Sequence, residues 1–164
     1  RRAALRVGEH VLVHAAAGSG EKARIALAIE LGGRADATTN TGWTAARSAA
    51  ASGKREVLDE VVRLGSSVRF ALHGAVGSGD AALVRHVLER YTPDVNDKDG
   101  WQRAALHEAM FGGLEIIRLL LEAGADPNVP DDEGTTPIFY AVDRENPELV
   151  RLLIAHGAEV AAAL

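Results

Sequence analysis

The 164-residue chain contains no cysteine, one methionine and few aromatic residues, which make up 4% of the sequence. The absence of cysteine excludes disulfides and thiolate chemistry, although it does not by itself fix the compartment. No apolar run approaches the ~18 residues that a membrane-spanning helix needs, and no signal-peptide pattern opens the chain. We therefore expect no membrane partner and an intracellular, cytoplasmic location.

A strong charge of one sign is also missing. The formal net charge is −5 and no long basic run is present, so we expect no nucleic-acid partner, which normally requires a basic patch. Charged residues make up 25% and hydrophobic residues 47% of a chain long enough to bury a core, and this balance indicates a folded protein. Because the first residue is Arg1, we expect the sequence to be a fragment or a processed product.

The helix-stop glycines reveal a repeat. Gly32 and Gly65 lie 33 residues apart, as do Gly124 and Gly157, and Tyr91 stands where a glycine is expected between them. A fixed period near 33 is typical of stacked repeats, in which one unit cannot bury its apolar face alone. The spacing predicts approximate units at residues 1–33, 34–66, 67–92, 93–125 and 126–164, within a single domain covering 1–164.

Each unit carries two apolar segments separated by a short turn. The first is short and rich in alanine, which lets two helices approach closely. The second carries paired aliphatic residues on one face and charged residues on the other, as expected for an outer helix with a solvated back. Connectors rich in Asp, Asn, Gly and Thr predict turns or short hairpins. The predicted inner helices are 11–17, 45–51, 70–76, 104–111 and 137–142.

Four stretches resemble ankyrin repeats: GWTAARSAA from Gly42, LHEA from Leu106, LEIIRLLLEAGADPN from Leu114 and GTTPI from Gly134. The resemblance covers nearly the whole chain. It implies an all-α ankyrin-repeat solenoid of about five helix–turn–helix units, joined by short β-hairpin-like connectors. In that family, the slot filled here by His14, His73 and His107 stabilises the connectors through hydrogen bonds to neighbouring backbone.

The sequence departs from the family pattern in two ways. Arg47 and Phe139 occupy the histidine slot in the second and fifth units. From Gly65 to His73 there are only eight residues, whereas Gly32 to Arg47 is fifteen. Seven residues are missing, so we expect the connector between the second and third units to be truncated and to lack the usual hairpin finger.

Two patterns resemble reactive sites and are better explained by the repeat. The segment AAAGSGEKA from Ala15 to Ala23 lacks the Gly-Lys-Ser/Thr of a phosphate-binding loop, and its glycines fall at an inter-helix turn that recurs in later units. His14, His73 and His107 belong to three different units, so they do not converge on a metal or an acid–base pair.

Acidic residues gather at the connector tips, but no twelve-residue calcium-loop register fits them. We expect the aspartates to stabilise turns through their own side chains. We therefore predict no catalytic residue, no metal and no cofactor, and a chain that is not an enzyme. The acidic residues concerned are Asp97, Asp99, Asp131, Asp132 and Glu133.

The two tryptophans lie at connector tips, beside Gly42 and Gly100. For Trp43, packing on a neighbouring finger and contact with a partner both remain open. For Trp101, with Arg103 beside it, partner contact is favoured, because tryptophan and arginine are common anchors of protein interfaces.

The resemblance implies a non-catalytic protein–protein interaction module, which binds a protein partner on the concave face formed by connector tips and inner helices. We expect a mixed-charge groove, acidic near residues 131–133 and aromatic and basic near Trp101 and Arg103. The positions carried over as partner-binding are Asn40, Thr41, Trp43, Gly100, Trp101, Arg103, Phe111, Asp132, Glu133, Thr135, Asp143 and Arg144.

Two alternatives stay open. In one, the chain is a structural or oligomerisation array that stacks end to end, because the C-terminal segment Val160–Leu164 is apolar where a capping repeat should be polar; a monomer is nevertheless the expected state. In the other, the chain is the substrate-delivering part of a larger enzyme or effector protein.

Overall fold

A computed structural model describes residues 13–39 and 42–160. By their contacts, the residues divide into two compact units, Arg1–Pro93 and Asp94–Leu164. The predicted repeat boundaries, and the single domain over 1–164, stay predictions; the division falls close to the predicted boundary between the third and fourth repeats.

The first unit contains six helices in its described part. Residues 13–18 form the described part of α1. The others are α2 (Lys22–Glu30), α3 (Ala45–Ala51), α4 (Arg55–Arg63), α5 (Ala71–Ser78) and α6 (Ala81–Tyr91). Helix α3 packs against α4 and α5, α5 against α6, and α2 against α4.

The second unit contains four helices in its described part, paired in the same inner–outer manner. They are α7 (Ala105–Ala109), α8 (Leu114–Glu122), α9 (Pro137–Asp143) and α10 (Pro147–Ala155). Helix α7 packs against α8, and α9 against α10. The all-α class is confirmed, because strands are absent from the part of the chain that the structure describes.

Small residues permit the close approach of α3 and α5. Ala46 and Ala50 of α3 are fully buried, and a Cβ atom added at Gly74 of α5 would collide with the carbonyl oxygen of Arg47. Such contact between helix backbones requires glycine or alanine on the facing sides. In this pair, the small residues of the two inner helices therefore lie on the sides that face each other.

The outer helix α8 shows how an element begins and ends. Five aliphatic residues between Ile116 and Leu121 are buried, and Glu115 places a negative charge in the first turn, where the helix dipole favours it. After Glu122, Gly124 adopts a left-handed conformation with φ of 92°. The amide of Ala125 then donates to the carbonyl of Leu120 at 2.9 Å, which closes the helix in the manner typical of a glycine stop.

The connector between α4 and α5 is short, as predicted, and forms no β-bridge along residues 66–70. Two side chains join it to α3: Ser66 Oγ accepts the amide of Ala46 at 3.0 Å, and Thr44 Oγ1 donates to the carbonyl of Arg69 at 2.8 Å. The preceding connector does carry a bridge, between Thr38 and Thr44.

Several predicted inner-helix bounds differ from the structure: 70–76 is Ala71–Ser78, 104–111 is Ala105–Ala109 and 137–142 is Pro137–Asp143. Phe70 was placed inside a helix, but it precedes α5 with a left-handed φ of 63°, because the truncated connector must turn sharply into the helix. The helix predicted at 104–111 is shorter, from Ala105 to Ala109, because the chain begins to turn at Met110 and the two glycines that follow Phe111.

Candidate functional site

The loop from Asp99 to Arg103 is built around one buried carboxylate. The Asp99 amide donates to the carbonyl of Arg103, and the Gln102 amide donates to the carbonyl of Asp99, both at 3.0 Å. The Asp99 Oδ1 atom also accepts the amides of Trp101 at 2.9 Å and Arg103 at 3.0 Å. These bonds fix the loop and present Trp101 at its tip.

The loop from Asp131 to Thr135 repeats this arrangement one repeat later. The Asp131 amide donates to the carbonyl of Thr135 at 3.0 Å, and the Gly134 amide donates back to Asp131 at 3.2 Å. The Asp131 Oδ1 atom accepts the amides of Glu133 and Thr135 at 3.0 and 2.9 Å. The prediction that tip aspartates stabilise turns through their own side chains is confirmed at Asp99 and Asp131.

Asp131 has an additional partner in helix α9. The hydroxyl of Tyr140 donates to Asp131 Oδ2 at 2.8 Å. Burial raises the pKa of Asp131, but the bonds from Tyr140 and from the Thr135 and Glu133 amides outweigh it, so the pKa lies below its ordinary value. Burial, together with the nearby Asp131 carboxylate, raises the pKa of Tyr140 to about 12. Asp131 is therefore a carboxylate and Tyr140 a neutral phenol at neutral pH.

The two loops and Tyr140 line an open cleft of about 250 Å³. The guanidinium carbon of Arg103 lies 5.1 Å from the centre of the Trp101 ring, within the range of a cation–π contact. Arg103 also approaches Asp99 at 3.5 Å. Trp101 is 46% exposed, so the aromatic wall of the cleft is open to solvent. The cleft is lined by Trp101, Arg103, Asp131, Asp132, Glu133 and Tyr140.

An aromatic patch adjoins the cleft through Tyr140. The rings of Phe111 and Tyr140 meet edge to face at 5.7 Å, and the guanidinium of Arg144 lies 4.7 Å from the centre of the Phe111 ring. Arg144 also donates from Nη1 to the carbonyl of Met110 at 2.9 Å. Phe111 is 59% exposed and Phe139 is 45% exposed. We call Phe111, Tyr140 and Arg144 the aromatic patch.

The structure therefore brings several of the predicted partner-binding residues together in the second unit. Trp101, Arg103, Asp132 and Glu133 share the cleft, and Phe111 and Arg144 are linked to it by Tyr140. Tyr140 is absent from the predicted partner-binding positions, whereas Asp131 was expected only as part of the acidic side of the groove. The sequence signal for Tyr140 is its position nine residues after Asp131, on the next inner helix.

The remaining predicted residues lie elsewhere or contribute backbone. Gly100 is exposed beside Trp101, Asp143 is exposed at the end of α9, and the Thr135 amide serves the Asp131 loop. Trp43, in the first unit, is half-buried, with the Arg47 guanidinium 3.7 Å from its ring centre. Asn40 and Thr41 lie outside the described residues.

Two of the recurring histidines, His14 and His107, make the kind of backbone contacts that the resemblance implies. His14 Nε2 lies 3.3 Å from the carbonyl of Ala37 in the next connector, and His107 Nδ1 accepts the amide of Ala104 at 3.2 Å. Burial lowers the pKa of His107 and outweighs the attraction of the Thr135 backbone and the Asp131 charge. His107 is therefore a neutral, structural side chain.

The described part of the chain contains neither a metal-binding cluster nor a membrane-spanning helix. Over residues 13–39 and 42–160, no group of three or more His, Cys, Asp or Glu side chains is arranged to hold a metal ion. Within the same ranges, no helix has the length and apolar character needed to cross a membrane. What the cleft does offer is an aromatic ring, a phenol, a guanidinium and carboxylates, a set suited to binding polar and charged side chains.

Comparison with known proteins identifies the repeats. Residues 72–163 match the family model described as ankyrin repeats in three copies. The chain is 33% identical over 111 residues to protein phosphatase 1 regulatory subunit 27 of Mus musculus, covering 67% of this chain and 71% of that protein. It is 37% identical over 89 residues to BCL-6 corepressor-like protein 1 of Homo sapiens, covering 54% of this chain and 5% of that protein.

A match of 25% identity extends over 144 residues of the ankyrin repeat protein nuc-2 of Neurospora crassa, covering 82% of this chain and 13% of that protein. The chain thus corresponds to a small part of two of these relatives and to most of the regulatory subunit. With more than half of its length matched by the family model, the chain belongs to the ankyrin-repeat family.

Proposed function

We propose that the chain is a non-catalytic protein-binding module whose partner docks on the connector tips and inner helices. Ankyrin repeats are generally protein–protein interaction modules. The observation that carries the proposal is the cleft of the second unit, where the exposed Trp101 ring and Arg103 stand beside Asp132 and Glu133. Exposed tryptophan and arginine at the centre of a surface are frequent binding hot spots.

The neighbouring aromatic patch supports the same surface. Phe111 is 59% exposed and its ring meets that of Tyr140, and exposed aromatic groups commonly mark an interaction site. Together with the cleft, they offer the apolar centre and charged rim that protein interfaces share. Three further proposed contacts belong to the first unit, namely Asn40, Thr41 and Trp43. Their role in binding has to be tested with variants separate from those of the cleft.

The polar groups of the cleft favour binding over catalysis. Asp131 is already engaged by two amides and a phenol, and Tyr140 has a pKa of about 12, far above the range useful for proton transfer at neutral pH. His107 is buried beneath them with a lowered pKa. A relative named as a regulatory subunit agrees with a non-catalytic role. We also propose that the protein is intracellular.

The test is affinity capture from an extract of the source organism, followed by direct titration of the purified partner. Replacing Trp101 and Arg103 together by alanine should remove capture, because the cleft loses its aromatic wall and its guanidinium. Arg118→Ala, which removes one exposed positive charge from helix α8, is the matched control and should bind normally.

Thermal unfolding separates binding from folding in this test. Trp101 and Arg103 are both partly exposed, so the double variant should melt close to the wild type. A fall of more than about 5 °C, equivalent to roughly 2 kcal/mol in a chain of this size, would show that the two residues are structural. Undiminished capture by a stably folded double variant would refute the proposed surface.

A further inference from the structure

We propose that the cleft of the second unit receives an arginine side chain from a basic segment of the partner. The inference rests on the proposed function and specifies the chemistry of what binds. Its guanidinium would lie against the exposed Trp101 ring and pair with the carboxylates of Asp132 and Glu133.

The lining combines aromatic and anionic groups. Trp101 and Tyr140 supply two rings, while Asp132 and Glu133 are exposed carboxylates at the rim. Among the described residues, neither of these two carboxylates forms an ion pair with a side chain of the protein. An aromatic face beside open carboxylates is a favourable setting for a cation, which gains cation–π attraction and charge-assisted hydrogen bonds together.

The other two charged residues of the cleft, Asp131 and Arg103, already have partners within the protein. Asp131 accepts hydrogen bonds from Glu133, Thr135 and Tyr140, so most of its acceptor sites are occupied and its main contribution to the cleft is negative charge. Arg103 lies between the Trp101 ring and Asp99, 5.1 Å from the ring centre and 3.5 Å from the carboxylate. The Trp101 ring thus already supports one guanidinium, and Asp99 partly offsets its charge. The lining keeps an excess of negative charge.

The whole second unit is strongly acidic. From Asp94 to Leu164 the sequence contains 14 Asp and Glu residues against five Lys and Arg residues, a formal net charge of −9. A field of this sign draws a positively charged segment towards the unit and repels phosphate-rich ligands. Charge complementarity therefore favours a basic peptide segment over a nucleic acid or an acidic protein.

The size of the cleft fits a side chain better than a metabolite. Its volume of about 250 Å³ lies below the ~300–1,000 Å³ of pockets that enclose drug-sized ligands. Arginine suits it better than lysine, because the planar guanidinium can stack on an indole ring and still donate in its plane to two carboxylates. Lysine would use the same site through charge alone.

The experiment selects binders from a random peptide library displayed on phage, using the whole chain as bait at physiological salt. The sequences recovered should be enriched in arginine. A selected peptide is then synthesised with arginine and with citrulline, which has nearly the same shape without the charge. Citrulline should weaken binding by about 10- to 100-fold, because a charge-assisted contact and a cation–π contact are lost together.

Protein variants assign the effect to the cleft. Asp132→Asn combined with Glu133→Gln should weaken the arginine peptide by a similar factor and leave the citrulline peptide nearly unaffected, since coupled residues give non-additive losses. The control is Glu115→Gln combined with Glu122→Gln, which removes the same charge from exposed positions of helix α8. The control pair should change affinity only slightly.

The outcomes separate this inference from the proposed function. Peptides that need Trp101 but tolerate citrulline would overturn the arginine assignment and leave the binding surface intact. Equal losses of peptide affinity in the cleft variant and the helix α8 variant would also overturn the arginine assignment, because the affinity would then depend only on the overall charge of the unit. A selection with no peptide sensitive to the Trp101 and Arg103 double variant would refute both.

Discussion

Tyr91 and Tyr140 are the only tyrosines of the chain, and each donates its hydroxyl hydrogen to an aspartate. Tyr91 donates to Asp59 Oδ1 at 2.5 Å, and Tyr140 donates to Asp131 Oδ2 at 2.8 Å. Burial, followed by the neighbouring carboxylate, raises the pKa of each phenol to about 12. The same tyrosine-to-aspartate hydrogen bond therefore occurs twice, once from helix α6 and once from helix α9.

The raised phenol pKa values predict the ultraviolet titration of the native chain. An ordinary tyrosine is half ionised at pH 10, whereas these two should remain protonated there and ionise near pH 12. Because the folded pKa lies above the unfolded one, each bond stabilises the fold fully below pH 10 and loses its effect as the pH rises towards 12. Absorbance at the tyrosinate band against pH measures the midpoint.

The denatured chain is the control for this titration, because both phenols should return to a midpoint near 10 when the fold is lost. Tyr140→Phe should remove half of the high-pH transition and leave the Tyr91 half in place. A native midpoint near 10 would contradict the hydrogen bonds to Asp59 and Asp131.

Sequence patterns captured some residues of the site and missed others for a clear physical reason. Trp101 and Arg103 were predictable because a rare aromatic lay at a connector tip. Tyr140 was not predictable, because its role depends on a hydrogen bond to an aspartate in the preceding loop. The sequence pattern does not indicate the direction of its side chain. Glu145 likewise adopts a left-handed φ of 52° at a turn where earlier repeats place glycine, a strain that composition does not reveal.

At the scale of elements, helix packing in the first unit depends on a glycine, which has no side chain to separate the two backbones. Gly74 of α5 faces the Arg47 carbonyl and the Cβ atom of Ala50 in α3. A methyl group has no room there, so the two helices would have to separate. The alanine-rich composition of the inner helices predicted this kind of close approach.

Gly74→Ala should therefore destabilise the chain by about 1–3 kcal/mol, the usual cost of overpacking a tight interior. The gain in intrinsic helix propensity, about 1 kcal/mol, works in the opposite direction and does not relieve a clash with backbone. Urea unfolding followed by circular dichroism measures the change.

Gly18→Ala is the matched control in the same unit. A Cβ atom at Gly18 meets nothing within 4 Å, so this change should be neutral or slightly stabilising. Equal stability of the Gly74 and Gly18 variants would show that α3 and α5 are not in close contact.

The truncated connector was predicted from residue counts alone, whereas its consequences were not. Spacing showed that seven residues were missing between Gly65 and His73. It did not show that the side chains of Thr44 and Ser66 would form hydrogen bonds between α3 and the short connector, or that Phe70, just before α5, would adopt a left-handed conformation. These features arise from closing a short loop over a fixed helix pair, which is a tertiary constraint.

At the scale of the whole molecule, charge is distributed unevenly along the chain. The first unit has 13 basic and nine acidic residues, a formal charge of +4, against −9 in the second. Opposite charges of this size could draw one copy towards another in dilute salt. At 0.15 M ionic strength, however, interactions between exposed charges are screened beyond about 8 Å.

We therefore expect a monomer of 17.3 kDa at physiological salt, with no change in mass as concentration rises. Sedimentation equilibrium over a hundredfold range of concentration measures this directly. A run at low ionic strength provides the comparison, since any association driven by charge should appear there first. A mass that increases with concentration at 0.15 M salt would instead support the end-to-end array.

The placement of the tryptophans gives each unit its own optical reporter. Trp43 lies in the first unit under the Arg47 guanidinium, and Trp101 lies in the second with nearly half of its surface in contact with solvent. Replacing either indole with phenylalanine leaves a single emitter, whose wavelength and quenching by iodide then report on one unit alone. The same fluorescence can follow the unfolding of each unit separately, and in the second unit it can also register the arrival of a ligand.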